Sequence, residues 1–243
     1  MTSNATFQAR TQAGCREGGD EKIQAMPDNC QAKRTKNDKT PSLQIEQMLW
    51  KSGVKLIAGV DEAGRGAWAG PMMASAVILP DDVQIASTLA GVRDSKKMTP
   101  RQREHWAIKI KSAAVAWWVG EVTSTEIDEI GILPGNRLAM TRAIDGLTLT
   151  PEYHLFDFIH WKDCPYKGEK LVRGETQSLS IAAASVLAKT TRDELMVIFD
   201  TRYPGYGFAR HKGYGTAIHR DAIQRLGLCE IHRMSFSIPG KSS

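Results

Sequence analysis

The chain has 243 residues, 42% of them apolar, and a formal charge of +5, enough to bury one sizeable core but too weakly basic to argue for nucleic acid on charge alone. Cys15, Cys30, Cys164 and Cys229 form no Cys-x-x-Cys pair and have no evident histidine partners, which excludes a zinc site or disulfide framework and predicts a reducing, cytoplasmic compartment. No run has the apolar length of a membrane span and no signal-peptide core is visible, so no membrane partner is expected.

Residues 1–39 are polar, of mixed charge and poor in apolar side chains, which predicts a disordered tail ahead of a catalytic domain over 40–243. Thr40-Pro41 offers an N-cap and a first-turn proline for a short helix whose apolar face is Ile45, Met48 and Leu49. Strands are predicted over 55–60 and 72–79, and Thr99-Pro100 opens a basic helix reaching about Lys111. A strand over 114–122 follows. Thr123 and Glu126 then have capping-box spacing ahead of a helical region, interrupted at Pro134-Gly135 and resumed to about Ile144. Short strands are expected at 153–159 and 170–172. Ser178 or Ser180 caps a long helix to about Phe199, and a last helix occupies 216–226. Strands alternating with helices predict an α/β fold with a mixed sheet.

The run Ile57-Ala58-Gly59-Val60-Asp61-Glu62-Ala63-Gly64-Arg65-Gly66 is a β-prone segment ending in two carboxylates and a Gly-Arg-Gly turn. Such a strand delivers hard oxygen ligands beside backbone that a substrate can approach closely. Asp157 stands in another apolar strand, where a charge is costly unless paired or bound to a cation. Asp61, Glu62 and Asp157 together predict one shared site. Crowded carboxylates repel, a divalent cation relieves that repulsion, and an all-oxygen ligand set favours Mg²⁺ or Mn²⁺ over zinc. Glu175 lies in a loop before the long helix and is placed to reach the same cleft. Asp193, one helical turn after Lys189, reads as a surface i, i+4 partner instead. The loop 93–97 with Lys96, the basic and aromatic segment 206–216, and Ile231-His232-Arg233 suggest contacts to a phosphodiester backbone.

Asp61-Glu62-Ala63-Gly64-Arg65-Gly66 with Ala69-Gly70-Pro71, Asp94-Ser95-Lys96-Lys97-Met98-Thr99, the helix Ser180–Lys189 ending in Arg192-Asp193, His211-Lys212-Gly213-Tyr214-Gly215-Thr216 and Ile231-His232-Arg233-Met234-Ser235-Phe236 resemble, in order, the motifs of ribonuclease HII. The resemblance covers about residues 43–238. It implies a ribonuclease H-like α/β fold, a mixed sheet flanked by helices with a C-terminal helical portion. It also implies a divalent-metal-dependent endonuclease acting on RNA–DNA hybrid duplexes and on single ribonucleotides embedded in DNA. Cleavage of that kind leaves 5′-phosphate and 3′-hydroxyl ends and belongs to ribonucleotide excision repair and DNA replication. Carried over by position, Asp61, Glu62 and Asp157 match the metal ligands and Glu175 the fourth active-site carboxylate, usually Asp. Gly64, Arg65 and Gly66 match the turn that reads the ribose 2′-hydroxyl, and Tyr214 the tyrosine at the ribonucleotide–deoxyribonucleotide junction. Lys96 and Lys189 are candidates for phosphate contacts. Phe158, where the family commonly has glycine, is expected to fill space beside Asp157, and Ala67-Trp68 replaces a smaller pair. A monomer is expected. The competing readings are another ribonuclease H-like nuclease and a catalytically weak hybrid-binding module.

Overall fold

The computed structural model describes residues 40–239. The expected tail over 1–39 lies outside the described residues.

Helix α1 spans Gln44–Lys51. It does not begin at Thr40-Pro41 as predicted, because Ser42 is used in a β-bridge to Ser178. Its main chain accepts from Leu179 N–H at 3.0 Å and donates to Gln177 at 3.3 Å. Strands β1 (Ile57–Ala63) and β2 (Met72–Ile78) follow, then the short α2 (Ile85–Thr88). A 3₁₀ turn at Ser95–Lys97 is N-capped by Asp94, whose carboxylate accepts from Lys96 N–H at 2.9 Å. Thr99 and Gln102 form a full capping box on α3 (Pro100–Ala113), and β3 occupies Ala116–Val122. The Thr123–Glu126 box opens α4 (Ser124–Ile130) as predicted.

The helical break falls at Gly131 rather than at Pro134-Gly135, which lie inside α5 (Ile132–Asp145). Proline is tolerated there because first-turn N–H groups have no intrahelical acceptor to lose. Strands β4 (Tyr153–Asp157) and β5 (Gly168–Leu171) precede a 3₁₀ turn at Gly174–Thr176 and the long α6 (Leu179–Arg202). The short α7 (Phe208–His211) and α8 (Ala217–Leu226) complete the described chain. Of the two serines proposed as the α6 cap, Ser178 is the one used: its hydroxyl accepts from Ile181 N–H. Glu46 of α1 reinforces that end, accepting from Ser180 N–H at 3.0 Å and from both serine hydroxyls at 2.7 Å. An acid placed at a helix N-terminus meets the positive end of its dipole.

The sheet order is β3-β2-β1-β4-β5, with β1 antiparallel to β2 and parallel to β4. Alternation along β1 divides the core. Ile57, with Val77 and Leu155, packs on the side of α1, α3 and α6. Ala58 and Val60, with Phe156, pack on the side of α4 and α5. The helix α6 lies against β1 so closely that a Cβ on Gly59 would sit 2.2 Å from the Ser180 carbonyl carbon. At ~1.5 Å per residue its 24 residues extend about 36 Å. It therefore runs past the sheet into a third cluster built on Met196, Tyr206, Phe208 and Ile223.

That cluster corrects the basic-loop expectation. Tyr206, Phe208, His211, His232 and Arg233 are buried rather than offered to a duplex. His211 and His219 stack at 4.3 Å, His219 Nε2 lies 3.1 Å from His232 Nε2, and Cys229 Sγ is 3.2 Å from His232 Nδ1. Cys229 thus has a histidine neighbour after all. The two contacts fall on opposite sides of the His232 ring, so they do not converge on one point.

Gly59→Ala should cost ~2–3 kcal/mol or more in chemical denaturation, because a methyl group there meets main chain that cannot move aside. A second expectation concerns acid. Burial first, then the facing His211 and His232, holds His219 down at about 4, and burial also lowers His211 and His232. Depressed histidine pKa values contribute stability that is complete above ~6.5 and lost as pH falls through that value towards 4. Thermal melts from pH 7.5 to 4.5 should show the loss, and His219→Gln should flatten it. An equal slope in both proteins would refute this account.

Candidate active site

Period-two alternation continues to the end of β1 and separates its two acids. Asp61 falls on the α6 side, where its environment includes the Ser185 hydroxyl, itself 2.8 Å from Ser95. Glu62 falls on the α5 side beside the Asn136 amide, which favours the charged form without closing a hydrogen bond. The parallel pairing of Val60 with Phe156 makes Asp157 the next neighbour of Asp61 across the sheet. Asp157 Oδ1 accepts from Gly174 N–H at 2.7 Å, which anchors the turn that carries Glu175. Asp61, Glu62 and Asp157 thus lie at the carboxyl ends of two parallel strands, where ligands bind in open α/β sheets, and Glu175 stands on the adjoining 3₁₀ turn.

Their electrostatics is unfavourable as it stands. Burial, then the charges of Glu62 and Asp157, pushes Asp61 well above the usual carboxylate range. Burial and Asp157 also raise Glu62 and Glu175. Lys96 is held above its ordinary value: burial works against it, but Asp61, Asp94, Glu175 and Asp157 outweigh that effect. Glu62 Oε2 and Glu175 Oε2 are buried with no hydrogen-bond partner. Orphaned, mutually repelling carboxylate oxygens fit a divalent cation, which would neutralise them and supply the missing contacts. No three His, Cys, Asp or Glu side chains among the described residues stand ready-made around one ion, in keeping with the opposite orientations of Asp61 and Glu62.

Residues 58–238 match the family described as Ribonuclease HII. The chain is 45% identical over 197 residues to ribonuclease HII of Dehalococcoides mccartyi (strain ATCC BAA-2266 / KCTC 15142 / 195), covering 81% of this chain and 93% of that protein. Its fold is similar to the crystal structure of ribonuclease H2 from Pyrococcus horikoshii OT3, with a TM-score of 0.63 and 24% identity over 75% of this chain and 94% of that one. It is also similar to Bst-RNase HIII in complex with Mn²⁺, with a TM-score of 0.57 and 20% identity over 76% of this chain and 68% of that one.

The chain belongs to the ribonuclease HII family. It is accordingly a ribonuclease H, an endoribonuclease of RNA–DNA hybrids, on the five-stranded mixed sheet flanked by helices that the sequence predicts.

The remaining predicted site residues are distributed unevenly. Arg65 and Gly66 are exposed at the turn after β1, whereas Gly64 is buried. Tyr214 is half-buried, with Lys189 Nζ 5.5 Å and Arg192 Cζ 5.4 Å from its ring centroid. Lys189 Nζ donates to Asp193 at 2.6 Å, and Asp193 also accepts from Arg103 at 2.9 Å. This trio is largely shielded, so Asp193 is structural as expected but is not a surface residue. The Phe158 expectation fails: its side chain is 58% exposed and turned to solvent rather than filling space beside Asp157. Ser95 and Ser185, which lie within the family-like motifs, had no role legible in the sequence, and Asn136 was not singled out at all. A lone serine in the apolar run Ile181–Ala188 is the one signal that pointed to a polar site.

Raised carboxylate pKa values mean that ionisation opposes folding, with the penalty growing above the unfolded values and complete above the folded ones. Without divalent cations, Asp61→Asn should therefore melt above the unaltered protein at pH 8, and the gap should close as pH falls. About 1 kcal/mol corresponds to ~2–4 °C in a domain of this size. An Asp61→Asn midpoint below the unaltered one at pH 8 would contradict the reading.

Proposed function

We propose that this enzyme incises duplex DNA on the 5′ side of an embedded ribonucleotide and cleaves the RNA strand of hybrids, leaving 5′-phosphate and 3′-hydroxyl ends. The observation that carries the proposal is the electrostatic proximity of Asp61, Glu62 and Glu175 to Asp157, with orphaned buried oxygens on Glu62 and Glu175, beside an exposed glycine turn. Asp61, Glu62 and Asp157 would hold Mg²⁺ or Mn²⁺, with Glu175 alongside. A neighbouring fold that binds Mn²⁺ supports that choice of metal. Bound there, divalent ions supply polarisation of the phosphodiester, activation of water and relief of charge on the leaving oxygen.

The chain's own residues do the positioning. Gly66, where a Cβ would meet nothing within 4 Å, leaves the turn open for a ribose to press against main chain. The 2′-hydroxyl is the group that distinguishes RNA from DNA at such a site. Arg65, exposed on the same turn, is placed to meet a phosphate, and the Tyr214 ring is placed to pack on the adjoining deoxyribose. Lys96 faces the carboxylates from the 3₁₀ turn and compensates their charge while remaining accessible to the scissile phosphate. Lys189 acts through Tyr214 and Asp193, since its ammonium is already engaged with both. Glu175 stands apart from the strand ends on its own turn, where a carboxylate one methylene longer than Asp reaches the same centre. The enzyme works as a cytoplasmic monomer in the removal of ribonucleotides from DNA. No helix among the described residues is long and apolar enough to cross a membrane.

A duplex with one ribonucleotide, labelled at its 5′ end and incubated with Mg²⁺ or Mn²⁺, should be cut once on the 5′ side of that ribonucleotide. All-DNA duplex should remain intact. Asp61→Asn and Asp157→Asn should lower turnover by ~10³-fold or more while binding the duplex with little change. Cutting of the all-DNA control, or unchanged rates in both variants, would overturn the assignment.

A further inference from the structure

Among the described residues, Arg192 and Arg233 are the two largest side chains with no exposure at all. A buried guanidinium usually meets a carboxylate, because an unpaired charge is costly to desolvate. These two instead donate to main-chain carbonyls. Arg192 binds Pro71 O through Nε at 2.8 Å, Lys212 O through Nη1 at 2.9 Å and Ala69 O through Nη2 at 3.1 Å. Arg233 binds Gly70 O through Nε at 3.1 Å and Nη2 at 2.9 Å, and Arg65 O through Nη1 at 2.9 Å. Every acceptor lies either in the connection between β1 and β2 or in the segment that carries Tyr214.

The two glycines of the Gly-Arg-Gly turn therefore differ in kind. Gly66 opens to solvent, but a Cβ on Gly64, whose φ is +91°, would lie 2.0 Å from Arg192 Nε. Gly64 is glycine because a guanidinium fills the space behind it. The main chain is stitched in the same direction. Trp68 N–H donates to Gly213 O at 2.8 Å, Arg233 N–H to Trp68 O at 2.8 Å, and Gly70 N–H to Ile231 O at 2.8 Å. Asp128 of α4 holds the next residues, accepting from Met234 N–H at 2.7 Å and Ser235 N–H at 2.8 Å.

We infer that Arg192 and Arg233 are positioning residues for sugar recognition, setting the separation and orientation of the Gly-Arg-Gly turn relative to Tyr214. The inference rests on the reading of that turn and Tyr214 as the surface that tells ribose from deoxyribose. Neither arginine touches the substrate. Each acts by fixing carbonyls whose peptide planes carry the turn. A lysine in either place offers one ammonium, which cannot span carbonyls that the guanidinium fork holds in a plane.

The test measures KM and kcat on the single-ribonucleotide duplex and the inhibition constant of an all-DNA duplex, for the unaltered enzyme, Arg192→Lys and Arg233→Lys. Both variants should raise KM for the ribonucleotide duplex by roughly tenfold, the scale of one lost charge-assisted hydrogen bond, with the all-DNA constant unchanged. A purely structural role would lower kcat through the folded fraction and leave KM alone, and that result overturns the inference. If the unaltered enzyme binds both duplexes equally, it is the sugar-reading surface itself that fails. Should the lysine variants not melt cooperatively, amide exchange on the unaltered protein decides: residues 65–70 and 212–214 should open as one unit. Independent opening of the turn would refute the clamp.

Discussion

Contact between α6 and β1 is the constraint on which the rest of the molecule depends. It is possible because Gly59 has no side chain to hold the helix off, and Glu46 and Ser178 pin the helix end at the same level. From that point the helix acts as a ruler. Ser185 reaches Asp61, Lys189 reaches Asp193 and the Tyr214 ring, Arg192 reaches the turn after β1, and Met196 enters the third cluster. Steps of three and four residues keep all of these on one helical face. A helix standing further from the strand would weaken every one of these contacts together.

The same strand that packs so well ends in a region that does not. Asp61, Glu62 and Glu175 are each pushed towards protonation, first by burial and then by nearby charge, that of Glu62 and Asp157 on Asp61 and that of Asp157 on the other two. Burial and mutual repulsion make ionisation there costly, so this end of the strand gives up stability that the packed part gains. Strand alternation adds a geometric effect, sending Asp61 and Glu62 to opposite faces. Adjacent acids on one strand therefore meet different neighbours, Ser185 beside Asp61 and Asn136 beside Glu62.

Beyond the sheet, the C-terminal layer is organised by cations and neutral histidines rather than by further strands. Arg192 and Arg233 bind carbonyls, and burial lowers the pKa values of His211, His219 and His232, which favours their neutral forms. This explains why a segment rich in Arg, His and Tyr is largely interior. Its charge is used to hold two loops together, while Arg210, Lys212 and Tyr214 are among the residues that keep access to solvent.

The sequence by itself determined the elements whose signals are local. The Thr99–Gln102 and Thr123–Glu126 boxes, the Ser178 cap and the apolar runs of β1, β2 and β4 each carry their own hydrogen-bond or burial logic within a few residues. Asp61 and Glu62 were legible as charges ending an apolar strand and Asp157 as a charge within one, although β4 in fact stops at Asp157. What needed tertiary structure was everything decided by a distant partner. Ser42 left the helix it was expected to help start because Ser178 pairs with it, and Pro134 stayed inside α5 because the break had already occurred at Gly131. Arg233 read as surface charge until the carbonyls of Arg65 and Gly70 were found against it. Whether a basic side chain faces a phosphate or a buried carbonyl depends on which loops close over it, and the residues adjacent in sequence do not encode that.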